Sequence, residues 1–265
     1  LLREESILAS CHAMVRERTF STFEKFIIMD DVTLEDITDS TGTLDLAGPR
    51  TAELLAELGV ENFSEMALLG HKEVTVNQIP CRVVRREFAG NPSATFIAGR
   101  PRLPALWREL AERLQSHGGE PAGMAAVDAI RLESGTVWFG MDYDDKQIPH
   151  EAGLENSHIS YEKGCYTGQE IVERVRSRGH VNRRLTQLAF LGDLAPVAGT
   201  KLFHGGTEIG VVTSTAFSPA LGRRPIGHGY VRREQSAIGT ILDASGIAAE
   251  VIAPPLPQKT SGLSV

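Results

Sequence analysis

The chain has 265 residues, with 27 Lys and Arg against 34 Asp and Glu, so its formal net charge is −7. This length suffices for two domains, and the 42% hydrophobic fraction is typical of a globular protein with a substantial core. The acidic balance argues against nonspecific nucleic-acid binding, which needs basic side chains to neutralise phosphates. The longest aliphatic stretches, such as 26–29 and 188–191, are far shorter than the roughly 20 residues of a membrane helix. We therefore expect neither nucleic acid nor a membrane as a partner.

The three cysteines, Cys11, Cys81 and Cys165, are odd in number and form no C-x-x-C pair. This spacing argues against a disulfide framework and against a structural zinc site. The histidines form no H-E-x-x-H motif, and we expect no bound metal. The first ten residues lack the basic segment and apolar run of a secretory signal. A reducing, cytoplasmic compartment fits these features best.

The first part of the chain predicts a mixture of helices and strands. Pro49–Leu58 has a proline suited to a first helical turn and is followed by Gly59, which is typical of a helix end. Apolar residues recur at helical spacing in Arg102–His117. Between these helices, alternating or β-branched residues predict three strands, at Glu73–Ile79, Arg82–Arg86 and Ala94–Ala98. This order indicates an α+β fold.

The last part of the chain is richer in glycine and consists of short apolar runs between turns. Four such runs predict the strands of a small β barrel or sandwich: Leu185–Phe190, Thr200–Phe203, Glu208–Thr213 and Ile226–Val231. We place a domain boundary near Arg184, which separates an α+β region at 1–185 from a β-barrel domain at 186–265. The proline-rich segment from Pro254 to Val265 predicts a disordered tail.

The segment Lys163–Glu170, K-G-C-Y-T-G-Q-E, is the most unusual in the chain. Glycines near Cys165 allow tight turns that expose a thiol, and Lys163 favours the thiolate whereas Glu170 opposes it. The alternative is a small buried cysteine that packs in a glycine-rich turn.

A basic run follows this segment within an otherwise acidic region. Its members are Arg174, Arg176, Arg178, His180, Arg183 and Arg184. Arginine suits carboxylate and phosphate recognition, so the run is a candidate anchor for an anionic ligand tail. The alternative is a solvated strand or hairpin.

Arg131 and Glu133 lie in the segment R-L-E-S-G, which is followed by F-G-M-D-Y at 139–143 and I-P-H-E-A-G-L at 148–154. Carboxylates and a guanidinium between glycine turns can line a polar cleft and hydrogen-bond a heterocycle. The alternative interpretation makes Arg131 and Glu133 a surface pair on a strand.

The segment Lys163–Glu170 resembles the signature of the YgfZ-type folate-binding proteins, relatives of the glycine-cleavage T-protein. Other segments are similar to that family in the same order along the chain: 26–36, the Gly48-Pro49 helix start, 131–135, 139–142, 149–154 and 227–234. The resemblance implies a folate-binding α+β body around a central cavity, followed by a C-terminal β barrel.

The resemblance also implies a function and a set of site residues. We expect a tetrahydrofolate-binding accessory protein that supports the assembly or repair of iron–sulfur enzymes, with iron–sulfur client or assembly proteins as partners. Cys165 is the expected functional thiol, and the candidate folate-binding residues are Arg131, Glu133, Lys163, Tyr166, Gln169 and Arg174. In T-proteins the matching segment lacks this cysteine, which favours the YgfZ branch. The alternatives are an aminomethyltransferase of glycine cleavage and a ligand-free interaction module.

Two departures from the family pattern are expected to matter. We expect the family's first segment to be absent or shortened, because the chain enters near an expected strand at Phe26. At 89–93 the chain has A-G-N-P-S where T-proteins have a T-G-E-x-G-like turn, which removes a carboxylate expected at the pterin.

Overall fold

The computed structural model describes residue 1 and residues 6–254, and it divides the chain into two compact units. The first unit ends at Ala122 and the second begins at Gly123. Within the described part of the chain, no helix combines the length and the apolar character that a membrane-spanning segment needs.

In its described residues, the first unit contains a four-stranded antiparallel sheet and three α-helices. The strands are β1 (Thr41–Ala47), β2 (His71–Val76), β3 (Ile79–Phe88) and β4 (Asn91–Gly99), and the order in the sheet is β1-β4-β3-β2. The helices are α1 (Arg16–Phe26), α2 (Thr51–Glu57) and α3 (Leu103–Ser116). The hairpin from β3 to β4 turns through Ala89 and Gly90, both with positive φ, which is the type I′ geometry that suits two-residue hairpins.

The core of the first unit lies between the sheet and helices α2 and α3. Val83 and Phe96 from the sheet are fully buried, as are Leu55 of α2 and Leu106 of α3. Each helix therefore buries the apolar face that its sequence periodicity predicts.

The second unit combines three helices with a closed six-stranded barrel. The helices are α4 (Met124–Ser134), α5 (Glu155–His158) and α6 (Gln169–Arg178). The strands are β5 (Arg183–Phe190), β6 (Lys201–His204), β7 (Thr207–Ser218), β8 (Arg224–Arg232), β9 (Ile241–Ala244) and β10 (Ile247–Ile252). Their order around the barrel is β10-β5-β8-β7-β6-β9.

Strands β5 and β8 are buried on both faces. Leu188 and Val231 belong to the barrel core, whereas Ala189 and Ile226 pack with Leu132 of α4 in a separate cluster. Because side chains alternate across a strand, α4 covers the outer face of these strands while the core fills the inner face. The barrel thus provides a rigid wall against which α4 packs.

The α+β class and the C-terminal β barrel are confirmed. Apart from the strand expected at Phe26, the predicted helices and strands lie within or overlap observed elements of the same kind, and β9 and β10 complete the barrel. The barrel strands begin at Arg183, close to the boundary placed at 185, while the compact units separate at Ala122, so that residues 123–185 are grouped with the barrel. From residue 255 onward, the predicted disordered tail lies outside the described residues.

The strand expected at Phe26 is wrong, because Phe26 is the last residue of helix α1. Phe20, Phe23 and Phe26 recur every third residue, which is close to the helical period and not to the alternation of a strand. Arg16, the first residue of α1, binds Asp36 and Asp39, and the hydrogen bond from Arg16 lowers the pKa of Asp36 to about 2.

We expect Gly210→Ala to destabilise the barrel. An added Cβ at this position of β7 would overlap the carbonyl oxygen of Tyr230, which belongs to the backbone of neighbouring β8 and cannot move aside cheaply. Overpacking of this kind costs about 1 to 3 kcal/mol. The control is Gly164→Ala, since an added Cβ there meets no heavy atom within 4 Å. Urea unfolding of both variants measures the difference, and equal stabilities would contradict the prediction.

Candidate functional site

Arg131 lies on helix α4 and is fully buried, with 0% of its surface exposed. Its Nη1 donates to Asp142 Oδ2 at 2.7 Å and its Nε to Asp128 Oδ1 at 2.7 Å. The guanidinium also stacks over the ring of Trp138, 5.1 Å from the centroid. A buried charge is stable only when it is paired and hydrogen-bonded, and this arrangement meets both conditions.

Asp142 accepts hydrogen bonds from several elements at once. Its carboxylate receives the Trp138 N–H at 2.9 Å, the Thr213 hydroxyl at 3.0 Å and the Ser214 hydroxyl. His228 Nδ1 of β8 lies 3.3 Å from Asp142 Oδ1. Burial works to raise the pKa of Asp142, but the contacts from His228, Ser214 and Trp138 outweigh it and lower this pKa below its ordinary value. The carboxylate is therefore held ionised beside Arg131.

Glu133 attaches the same helix to the turn between β7 and β8. Its Oε1 accepts from the Ser218 hydroxyl at 2.6 Å and from the Ala220 N–H at 2.9 Å. Only 8% of Glu133 is exposed. The alternative that made Arg131 and Glu133 a surface pair on a strand is wrong, since both residues are buried on a helix that packs on the barrel.

A second polar cluster lies at the start of the barrel, around Glu151 and Arg183. The guanidinium of Arg183 donates to both carboxylate oxygens of Glu151, at 3.0 and 3.2 Å. These hydrogen bonds raise the pKa of Arg183. Arg183 also stacks over the ring of Tyr230, 5.0 Å from the centroid. Tyr230 is only 4% exposed, and its burial raises the pKa of its hydroxyl.

Residues 159–168, which include Cys165 and are called the thiol loop below, connect α5 to α6. Cys165 is exposed, so the alternative of a buried packing cysteine is wrong. Lys163 places its Nζ 4.7 Å from the ring centroid of Tyr166, which holds a positive charge within the loop. Gly168 adopts φ +89° directly before α6, a conformation that favours glycine and sets the direction in which the helix begins.

The basic run is divided between a helix and a strand. Arg174 on α6 pairs with Glu170 at 2.6 Å, and Arg176 stacks 4.2 Å from the ring centroid of Tyr161. Arg183, in contrast, belongs to β5. The alternative that made the whole run a strand or hairpin is therefore wrong.

The hydrogen bonds and ion pairs of the described residues group the predicted site residues into two sets. Arg131 and Glu133 use their polar atoms within the α4–barrel contact, whereas Lys163, Tyr166, Gln169 and Arg174 lie along the thiol loop and the first turns of α6. The sequence did not single out Asp142, Glu151 or Tyr230 individually, although each lies in a segment that carries the family resemblance. Arg183 was indicated only as a member of the basic run.

Two family profiles match the chain in sequence order. The GCVT N-terminal domain matches residues 1–160, and the Glycine cleavage T-protein C-terminal barrel domain matches residues 183–256. The chain belongs to the glycine cleavage T-protein family.

Relatives within the T-protein family are named aminomethyltransferase. The protein from Rubrobacter xylanophilus is 29% identical over 96% of this chain and 67% of its own length. The protein from Thermotoga maritima is 28% identical over 78% of this chain and 56% of its own length. This chain thus spans between about half and two thirds of the relatives that it matches.

A solved structure shares the fold. The crystal structure of glycine cleavage system aminomethyltransferase T from Bartonella henselae superposes with a TM-score of 0.73 at 25% identity. The match covers 91% of this chain and 66% of the Bartonella chain. The predicted membership of the wider T-protein-like superfamily is confirmed.

We expect Asp142→Asn to destabilise the second unit of this T-protein-family chain. The substitution leaves the buried Arg131 without a charged partner on this side, and breaking a buried pair costs about 3 to 5 kcal/mol. The control is Asp193→Asn on an exposed loop. Urea unfolding at pH 7, followed by Trp fluorescence, measures the loss.

The same substitution is expected to change the acid dependence of stability. Because folding lowers the pKa of Asp142, its stabilising effect is complete above the ordinary Asp pKa of about 4 and is lost as pH falls from there toward the folded-state value. The stability difference between parent and Asp142→Asn should therefore shrink between pH 5 and pH 3 (about one unit on either side of that pKa). A difference that stays constant over this range would contradict the assignment.

Proposed function

We propose that this protein binds a reduced folate, tetrahydrofolate or a derivative, and takes part in folate-dependent one-carbon chemistry. The observation that carries the proposal is the family match over both parts of the chain. The three cysteines are free, which supports a reducing, cytoplasmic location.

The polar groups of the second unit fit such a ligand. The buried polar atoms of the second unit that have no hydrogen-bond partner among the described residues include His150 Nδ1, Glu155 Oε2, Tyr166 Oη and Tyr230 Oη. Buried polar atoms are normally paired, so these atoms are available to a ligand rich in hydrogen-bonding groups. A reduced pterin carries ring N–H, amino and carbonyl groups that supply both donors and acceptors.

In this proposal the predicted site residues divide their roles. Lys163, Tyr166 and Gln169 contact the folate from the thiol loop and the start of α6, and Arg174 attracts its glutamate tail. Arg131 and Glu133 act from within the α4–barrel contact, where they position the neighbouring segments. Arg174 suits its role because its side chain is 69% exposed and pairs with Glu170 only across one helical turn.

The first candidate activity is aminomethyl transfer to tetrahydrofolate. The support is that the relatives from Rubrobacter xylanophilus and Thermotoga maritima are named aminomethyltransferase. The shared fold with the Bartonella henselae aminomethyltransferase T adds to this support.

The second candidate is a folate-binding accessory role of the YgfZ type, in support of iron–sulfur enzymes. The specific observation in its favour is the exposed Cys165 in a glycine-flanked loop beside Lys163. An exposed thiol near a cation is suited to transient contact with a metal cluster or a client protein. A stably held cluster usually needs four thiolates, so any cluster contact here is transient or shared with a partner.

We expect tetrahydrofolate to bind, and Arg174→Ala to weaken binding of the polyglutamylated form roughly two- to fivefold, as befits an exposed ion pair. Affinity for the monoglutamate should change less, and added salt should weaken the polyglutamate specifically. Isothermal titration calorimetry measures both ligands, with Arg108→Ala on α3 as the exposed-arginine control. If no folate binds, the proposed function is wrong. If the affinity does not depend on the length of the glutamate tail or on the salt concentration, the proposed role of Arg174 is wrong.

The two candidate activities predict different behaviour of Cys165→Ala. If aminomethyl transfer is the activity, this variant and the parent should both replace the T-protein in a reconstituted glycine-cleavage assay. If the accessory role holds, the parent should show no such turnover, and Cys165→Ala should fold normally yet fail to restore iron–sulfur enzyme activity in cells that lack the endogenous protein.

The matched control is Cys11→Ala, because Cys11 is also exposed and lies outside the thiol loop. It should restore iron–sulfur enzyme activity fully. Rescue by a stably folded Cys165→Ala protein would refute the role of this thiol.

A further inference from the structure

Tyr161 lies near the start of the thiol loop, three residues after the end of helix α5. Its side chain is half-buried, whereas the next four residues, 162–165, are all exposed. Tyr166, which follows them, is half-buried again. The exposed part of the loop, which includes Cys165, is therefore bracketed by two tyrosines. The contacts of these tyrosines bear directly on how the loop is placed.

The Tyr161 hydroxyl contacts a turn outside the thiol loop. A hydrogen bond joins Tyr161 Oη to His150 Nε2 at 3.1 Å, and the tautomer of the imidazole determines which of the two groups donates. The neighbouring Glu151 is attached to the first barrel strand, because its carbonyl accepts from the Leu185 N–H at 2.7 Å and its carboxylate from Arg183. The hydroxyl thus connects the thiol loop to a turn that the barrel holds in place.

The Tyr161 ring contacts helix α6, which follows the thiol loop in the chain. Arg176 Cζ lies 4.2 Å from the ring centroid, within the range of a cation–π interaction. Glu173 Oε1 lies 3.7 Å from Arg176 Nη1 and helps to place the guanidinium. Because the hydroxyl and the ring contact different elements, the single side chain of Tyr161 links the turn at His150 to α6.

A fixed loop conformation matters to a ligand that contacts several residues of the loop. An exposed loop without such links samples many conformations, and the apparent affinity falls with the fraction of molecules in the binding-competent one. The proposed folate contacts Lys163, Tyr166 and Gln169 all follow Tyr161 within eight residues. A contact that orders the loop before binding therefore strengthens binding without touching the ligand.

We propose that Tyr161 is a positioning residue of the thiol loop. By joining His150 to Arg176, it holds the loop in the conformation that presents the proposed folate contacts. The consequence for ligand binding rests on the proposed function, whereas the ordering of the loop is measured without any folate.

The first test measures loop mobility with a nitroxide label on Cys165. In a Cys11→Ala background Cys165 is the only exposed thiol, since Cys81 is buried. Electron paramagnetic resonance spectra without folate should show a more mobile label in Tyr161→Phe, which keeps the ring but loses the hydroxyl. Tyr161→Leu loses both contacts, and its label should be more mobile still.

The matched control is Tyr143→Phe. Tyr143 is also half-buried, but its ring packs edge-on against Phe139 outside the thiol loop. This variant removes the same hydroxyl group from a tyrosine elsewhere and should leave the spectrum of the label unchanged.

A double-mutant cycle tests the pairing of Tyr161 with His150. Because a hydrogen bond can be removed only once, Tyr161→Phe combined with His150→Ala should mobilise the label no more than the more mobile of the two single variants. Urea unfolding of each variant identifies any that fails to fold. Tyr161→Phe and its control carry the test by themselves if Tyr161→Leu or His150→Ala does not fold.

The second test measures the affinity of the unlabelled protein for tetrahydrofolate by calorimetry. Tyr161→Phe should weaken binding about two- to tenfold, the effect of one neutral hydrogen bond, and Tyr143→Phe should leave it unchanged. If the parent binds no folate, the proposed function is wrong, and the spectra still show whether Tyr161 orders the loop.

The role of Tyr161 is overturned if Tyr161→Phe leaves the spectrum of the label unchanged, or if Tyr143→Phe alters it equally. Additive effects of the Tyr161 and His150 substitutions would also overturn it. So would a Tyr161→Phe protein that binds tetrahydrofolate as tightly as a folate-binding parent.

Discussion

The ionised carboxylate of Asp142, buried against Arg131, is the contact on which the organisation of the second unit depends. It joins helix α4, through Arg131, to the loop at Trp138 and to strands β7 and β8, through Ser214 and His228. Two charges taken out of water are tolerated only where geometry and hydrogen bonds are nearly complete. The network therefore allows few alternative arrangements of helix and barrel, and Glu133, in the same last turn of α4, attaches the helix to the β7–β8 turn.

This rigid contact defines how the remaining polar residues are presented. The Glu151–Arg183 pair connects the loop after α4 to the first barrel strand, and Leu185 N–H donates to the Glu151 carbonyl at 2.7 Å. Cys165, by contrast, lies exposed in a loop that ends at α6. A thiol on a loop between anchored elements can be reached by a partner while its neighbours stay in place.

Family membership limits the possible activities but does not choose among them. The T-protein fold accounts for the sheet, the helices and the barrel, and the fold by itself does not imply a function. The relatives named aminomethyltransferase are longer than this chain, so part of each has no counterpart in the sequence considered. The chemistry must therefore be assigned from individual residues. The most relevant are the exposed Cys165 and the buried atoms of His150, Glu155 and Tyr230 that have no hydrogen-bond partner among the described residues.

The sequence by itself determined the α+β class, an all-β C-terminal part and the unusual loop of Cys165, because hydrophobic periodicity, glycine-rich turns and short motifs are local properties of the chain. The choice of a barrel over a sandwich came from the family resemblance. It did not determine whether Arg131 lines a cleft or is buried in the packed interior. The residue type is the same in both cases, and only the surrounding partners distinguish them. Only the tertiary structure brought Ser214 and His228, each more than seventy residues away in sequence, to the carboxylate of Asp142. Burial and pairing are consequences of three-dimensional packing, and no local pattern encodes them.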